Sequence, residues 1–174
     1  TLLNIIHSNC EMACVGIAPF SEKISASFRE GKIFYTTNPV LQLLGTAGGY
    51  MANKMYRVSL IKNNGIRLDT NIAVAEDLKF NIEYCRYVHQ AGVYDGVKYL
   101  YRRHGGSAIN ALGNRKWYDI LKVYDEIIQN LENTILRKEF ISRLMFLLLE
   151  AKVRAKYVSD NEKIINMCRT LEKK

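Results

Sequence analysis

Residues 12–18 read Met-Ala-Cys-Val-Gly-Ile-Ala, a nearly continuous apolar run closed by Pro19. A half-exposed strand alternates polar and apolar residues. A run of this kind instead fits a strand covered on both faces, as in a sheet flanked by helices. The segment therefore demands layers around it, and its neighbours can supply them. Residues 1–9 read as the end of a helix, with Leu2, Leu3, Ile5 and Ile6 on its inner side. Lys32 to Thr37 is a short β-type segment. Thr37, Asn38 and Pro39 then start a helix, with a capping side chain followed by Pro where its missing N–H costs nothing. That helix ends by Gly45, in a glycine-rich turn that runs to Gly49.

Further along, Tyr50 to Asn53 reads as a strand, and Arg57 to Asn63 as a short helix stopped by Asn64 and Gly65. Leu68 to Ala75 is a loop. A helix is expected over residues 77–91, because Leu78, Ile82, Cys85 and Val88 fall on one stripe and Gly92 ends it. Val93 to Arg102 follows as a strand. After Gly106 the period changes to three- and four-residue steps. Trp117, Ile120, Leu121, Tyr124, Ile127, Ile128 and Leu131 trace one amphipathic helix, and Phe140, Ile141, Leu144, Leu147, Leu148 and Ala151 trace a second. Ser159 and Glu162 have capping-box spacing for a third. The chain is thus expected to be mixed α/β over residues 1–109 and helical over residues 110–174.

Bulk properties narrow the function. With 174 residues, 48% apolar and 24% charged, the chain is an ordinary globular one. Its longest apolar run, around Leu144 to Leu149, is far short of the ~20 residues of a membrane span. The net charge of +8 is spread evenly, with 12 basic and 8 acidic residues up to Ile109 and 13 and 9 after it. Nucleic-acid binding would concentrate that charge on one stripe, so no nucleic-acid partner is expected. The basic cluster at Lys152, Arg154 and Lys156 suits a solvated helix face or contact with an anionic membrane surface. Cys10, Cys14, Cys85 and Cys168 form no Cys-x-x-Cys pair, and His7, His89 and His104 are scattered. Reduced thiols in a cytoplasmic setting are expected, without a bound metal.

The residues with chemistry to offer fall in three segments. Asn53, Lys54 and Tyr56 come first, then Glu76, Asp77, Phe80 and Asn81, then Tyr99, Tyr101, Arg102, Arg103, His104 and Ser107. Asp77 lies in the first turn of its helix, where the macrodipole favours an ionised carboxylate by about 0.3–1 kcal/mol. Such a group can act as a general base. Glu76 points about 100° around the helix from it, so the two are not a shared-proton pair. Arg102, Arg103, His104 and Ser107 can supply cations and donors to an anionic leaving group, and Asn53 and Lys54 can reach the same place. The order and spacing of these three segments resemble the acceptor-side half of family 2 glycosyltransferases with an A-type fold. Ala75 stands where that family usually has Gly.

The resemblance implies the C-terminal half of a nucleotide-diphospho-sugar transferase fold, followed by a helical tail. It implies inverting transfer of a sugar from a nucleotide-diphosphate donor to a polysaccharide or glycolipid acceptor, in cell-envelope or capsule synthesis at the inner face of the membrane. Asp77 would be the base, and Glu76 a positioning residue or a ligand of the acceptor hydroxyl. The Asp-x-Asp motif that holds a divalent Mg or Mn ion in the family does not occur in these residues, nor does the nucleotide-binding βαβ half. The metal is therefore expected outside this chain, and the chain alone is expected to be inactive or very weak. The alternative reading is a non-catalytic module whose helices pair with a protein partner, with a second copy or with a membrane surface.

Overall fold

The computed structural model describes residues 2–44, 48–104, 115–132, 134–155 and 162–171. The chain is mixed α/β and divides into two compact units: residues 1–69 with 77–105, and residues 70–76 with 106–174.

The first unit is built on the apolar run. Strand β1 (Met12–Phe20) lies inside a four-stranded sheet with β2 (Ile33–Thr36), β3 (Lys54–Tyr56) and β4 (Ala91–Arg102), in the order β2-β4-β1-β3. β1 runs parallel to β4 and antiparallel to β3, and β2 is antiparallel to β4. Period-2 alternation sends Ala13 and Val15 to one face, where Ile5 of helix α1 (Leu2–His7) packs with Cys10 and Tyr94. Met12 goes to the other face, where its sulfur lies 3.9 Å from that of Cys85 in helix α4 (Glu76–Cys85). Double-sided burial, inferred from the run alone, is what the strand has. β1 extends two residues past Ala18, so Pro19 sits within it opposite Tyr101. β3 pairs only with Met12 to Cys14, so the side of Pro19 that lacks an N–H has no ladder to break.

Other expected boundaries move as well, and β4 begins at Ala91 rather than at Val93. Tyr50 to Asn53 is not a strand; it forms the turn before β3, in which the Tyr50 carbonyl accepts the Lys54 ammonium, the Met51 carbonyl accepts the Lys54 N–H, and only the Asn53 carbonyl reaches β1, at the Val15 N–H. The helix expected over 77–91 ends at Cys85. The N–H groups of Arg86 and Tyr87 reach back three residues, to Glu83 and Tyr84, which tightens the chain out of the α-helix. Val88 is buried although it lies beyond the helix, so the stripe that suggested helix reflects burial there rather than helical period. Helix α2 (Pro39–Leu44) starts at the expected proline. Helix α3 (Val58–Asn63) ends with Gly65 at φ +63°, its N–H on Lys62 and that of Ile66 on Ile61, a Schellman closure.

The second unit contains α5 (Arg115–Asn130), α6 (Thr134–Ala155) and α7 (Glu162–Leu171). Trp117, Leu121, Ile127, Phe140, Leu144, Leu148 and Ala151 are buried, as the periodicity implied. Ile141 is exposed instead. The Asp119 carboxylate accepts the Ala73 N–H at 2.8 Å, which ties the segment 70–76 to these helices. Ser159 lies outside the described residues. No helix among the described residues is long and apolar enough to cross a membrane.

The tightest joint in the first unit is Gly92, where an added Cβ would stand 2.0 Å from Ile5 Cγ2. Gly92→Ala should force α1 off the sheet and cost about 1–3 kcal/mol, read as a lowered urea midpoint with unchanged slope.

Candidate functional site

β3 places Lys54 and Tyr56 on the sheet face that carries α4, since the two are separated by one residue whose side chain goes the other way. Burial of an ammonium is tolerated only when its donors are used. Lys54 is 7% exposed, and its Nζ donates to the carbonyls of Gly48 (2.8 Å) and Tyr50 (2.5 Å) and to Asn53 Oδ1 (3.0 Å). Asn53, also buried, donates from Nδ2 to the Val15 carbonyl at 2.6 Å. Both residues were expected to reach toward substrate. Their donors go to the protein itself, fixing the Gly48–Tyr50 turn against β1.

Asn81 completes the network from α4. It is fully buried, and its Nδ2 donates to the carbonyls of Gly49 (2.7 Å) and Asp77 (2.8 Å) while its Oδ1 accepts the Tyr56 hydroxyl (2.8 Å). The first turn of α4, the glycine turn and β3 thereby meet at one side chain. Gly49 lies so close to the helix that an added Cβ would be 3.0 Å from Leu78. Tyr56 also packs edge-on against Phe80 and Tyr84, with ring centroids at 5.6 and 5.0 Å.

Asp77 is half-buried, and its Oδ1 accepts the Leu78 N–H at 2.8 Å. Its charge acts on both Lys54 and Tyr56. Burial pushes the Lys54 ammonium down to about 8, while Cys14, Asp77 and Cys85 pull it back up. Burial likewise raises the Tyr56 hydroxyl far above its ordinary range. Glu76 begins α4 and belongs to the second unit, so the geometry described here rests on Asp77.

The end of β4 reaches this turn through Tyr101, whose ring stacks on Tyr50 at 5.9 Å and 27°. Arg102, Arg103 and His104 follow directly and are exposed, with the Arg103 N–H on the Phe20 carbonyl. Ser107 lies outside the described residues. The structure therefore gathers parts of all three sequence segments on one network, joined by Tyr56–Asn81 and Tyr50–Tyr101. Tyr50 was missed as a site residue because it read as strand. The adjacent Gly48 and Gly49 were the signal that it belongs to a turn. Asn81 stood in the pattern without a role, although its spacing of four from Asp77 already placed both on one helix face.

Volume and chemistry part company here. An open pocket of about 400 Å³ is lined by Leu2, Leu3, Val15, Asn53, Met55 and Tyr99 among others, on the α1 face of the sheet. Asp77 does not line it. Its walls are mostly apolar, and the Lys98 ammonium at its edge is paired with Glu30. Among the described residues no group of three or more His, Cys, Asp or Glu side chains gathers to hold a metal ion.

No family model and no curated protein matches the chain. Among the solved structures similar to it are those of S. aureus TarS 1-349 in complex with UDP and with UDP-GlcNAc. The first has 13% identity and a TM-score of 0.49, covering 91% of this chain and 45% of that one. The second has 14% identity and a TM-score of 0.48, covering 91% and 44%. The chain thus spans less than half the length of either.

Ala75 has φ +69°, the left-handed region that a side chain resists. Ala75→Gly should stabilise the protein by about 1 kcal/mol, measured by thermal or urea unfolding.

Lys54 supplies a pH test. Its folded-state pKa of about 8 lies below the ordinary 10.5, so between those values the unfolded chain holds the extra proton. Stability from this group therefore rises with pH across that window. Cys14, raised to about 11, works in the opposite sense from about pH 9 upward. The stability of the native protein minus that of Lys54→Met should accordingly grow by about 1 kcal/mol between pH 8 and 9, read from urea titrations at each pH.

Proposed function

We propose that this chain is the acceptor-side part of a glycosyltransferase with an A-type fold, acting with inversion on a nucleotide-diphosphate sugar. The acceptor hydroxyl of a polysaccharide or glycolipid attacks the anomeric carbon, and Asp77 takes its proton. The bond from that carbon to the phosphate oxygen breaks, and the diphosphate leaves with the electron pair. Arg102, Arg103 and His104, with Ser107, meet the charge that develops on the leaving group. Glu76 positions the acceptor or binds its hydroxyl. Asn53 and Lys54 act one step removed, by fixing the turn that borders Asp77. A divalent Mg or Mn ion, in this reading, is held by residues outside this chain. The setting would be the cytoplasmic face of the membrane, in cell-envelope synthesis.

The observation that supports this reading is convergence. Two of the three segments meet at the Tyr56–Asn81 hydrogen bond, and Tyr101 of the third stacks on Tyr50 in the turn that the same network holds. A general base contributes roughly 10²–10⁴-fold to such a reaction. In an enzyme that contains these residues together with a nucleotide-binding half, Asp77→Asn should lower nucleotide release from a panel of nucleotide-diphosphate sugars by at least about 100-fold. Donor affinity should be unchanged. Near-normal turnover in that variant would sink the assignment.

A second reading attaches to the helical unit alone. Helix α6 exposes Ile135, Ile141, Met145, Phe146 and Leu149, which share one side of the helix opposite its buried face. Such a stripe suits contact with a protein partner, a second copy or a membrane surface. It is compatible with glycosyl transfer in the first unit.

A further inference from the structure

The Gly48–Met51 backbone spends its oxygens in an unusual way. Four successive carbonyls are taken by interior donors: Gly48 and Tyr50 by Lys54 Nζ, Gly49 by Asn81 Nδ2, and Met51 by the Lys54 N–H at 3.1 Å. Among the described residues no peptide bond is cis. In a planar trans peptide the carbonyl and the following N–H point in opposite directions. The N–H groups of Gly49, Tyr50 and Met51 are therefore turned away from Lys54 and Asn81. Among the described residues no acceptor meets any of the three. Gly48, Gly49 and Met51 are half-buried and Tyr50 is exposed, so none of the four residues is enclosed in the core.

We propose that these three N–H groups form a binding site for the phosphoryl oxygens of a nucleoside diphosphate, held in shape from behind by Lys54 and Asn81. Gly48, at φ +58°, is the left-handed residue that allows successive amides to converge on one anion. The donors behind the turn are themselves buried, Lys54 at 7% and Asn81 at 0% exposure. The turn cannot relax without orphaning a buried ammonium or amide, so its amides are pre-aimed before any ligand arrives. The Lys54 ammonium also lies directly behind them, which favours an anion over a neutral sugar hydroxyl. The site exists on backbone geometry alone. Its assignment to a nucleoside diphosphate rests on the glycosyl-transfer reading.

The test is a titration of the ¹⁵N-labelled 174-residue chain with inorganic pyrophosphate, against chloride at matched ionic strength. The amides of Gly49, Tyr50 and Met51 should shift together and saturate. Asn81→Ala, checked for folding by circular dichroism, should weaken that binding at least fivefold by releasing the Gly49 carbonyl. Asp77→Asn should leave the shifts intact even where it stops transfer, so the two proposals fail separately. Shifts confined to residues 102–104, no saturable response, or native-like binding by folded Asn81→Ala would each overturn the site. Should Asn81→Ala not fold, the native titration decides alone.

Discussion

A buried ammonium organises the first unit. Lys54 stands at the edge of the sheet where an apolar residue would ordinarily close the core, and its charge must be met locally. Three oxygens meet it, two of them carbonyls of one turn. This arrangement gives the turn its shape, because a backbone without a ladder partner needs other donors for its carbonyls. Everything near Asp77 is positioned by that shape: Gly49 against Leu78, Tyr50 against Tyr101, and Asn81 between the turn and the helix. Replacing the lysine by an apolar residue would remove the donor shared by the Gly48 and Tyr50 carbonyls, and with it the clamp on the turn.

Much of the architecture was legible because it follows from burial periodicity. The unbroken run at Met12–Ala18 required cover on both sides, and α1 and α4 provide it. The three- and four-residue steps after Gly106 required helices, and α5 and α6 are there. Periodicity failed where burial had another cause. Val88 continues the α4 stripe only because it packs beyond the helix end, and Tyr50 to Asn53 looks strand-like only because an aromatic and small residues suit both a strand and a tight turn. The helix end is closed by local bonds, from Arg86 to Glu83 and from Tyr87 to Tyr84, whereas the turn before β3 is also held from far away in the sequence. The Asn81–Gly49 hydrogen bond spans 32 positions, and no local window contains both.

The candidate site was legible as a set of positions rather than as a geometry. Spacing singled out Asn53, Lys54, Asp77 and Arg102, and the fold gathers their neighbourhoods. Spacing could not reveal that Asn53 and Lys54 turn their polar atoms inward, since a lysine in a polar segment reads equally as a ligand or as a clamp. Nor could it separate the apolar pocket on the α1 face from the polar network on the α4 face, because β3 contributes to both. Met55 faces the pocket and Lys54 and Tyr56 face the network, one residue to either side. A three-residue strand thus divides two environments, and a one-residue slip would exchange them.

Ala75 shows how such a site is held together against local preference. A left-handed alanine is a cost that a glycine would remove, yet the chain keeps φ +69° there. On one flank the Ala73 N–H is committed to the Asp119 carboxylate. On the other, Asp77, the second residue of α4, has its carbonyl on Asn81 and its carboxylate on the Leu78 N–H. A strained angle of this kind persists only where the residues around it hold it in place. Strain of this sort is concentrated where the orientation of a functional group is fixed by its supports. Here it immediately precedes Glu76 and Asp77 in the sequence.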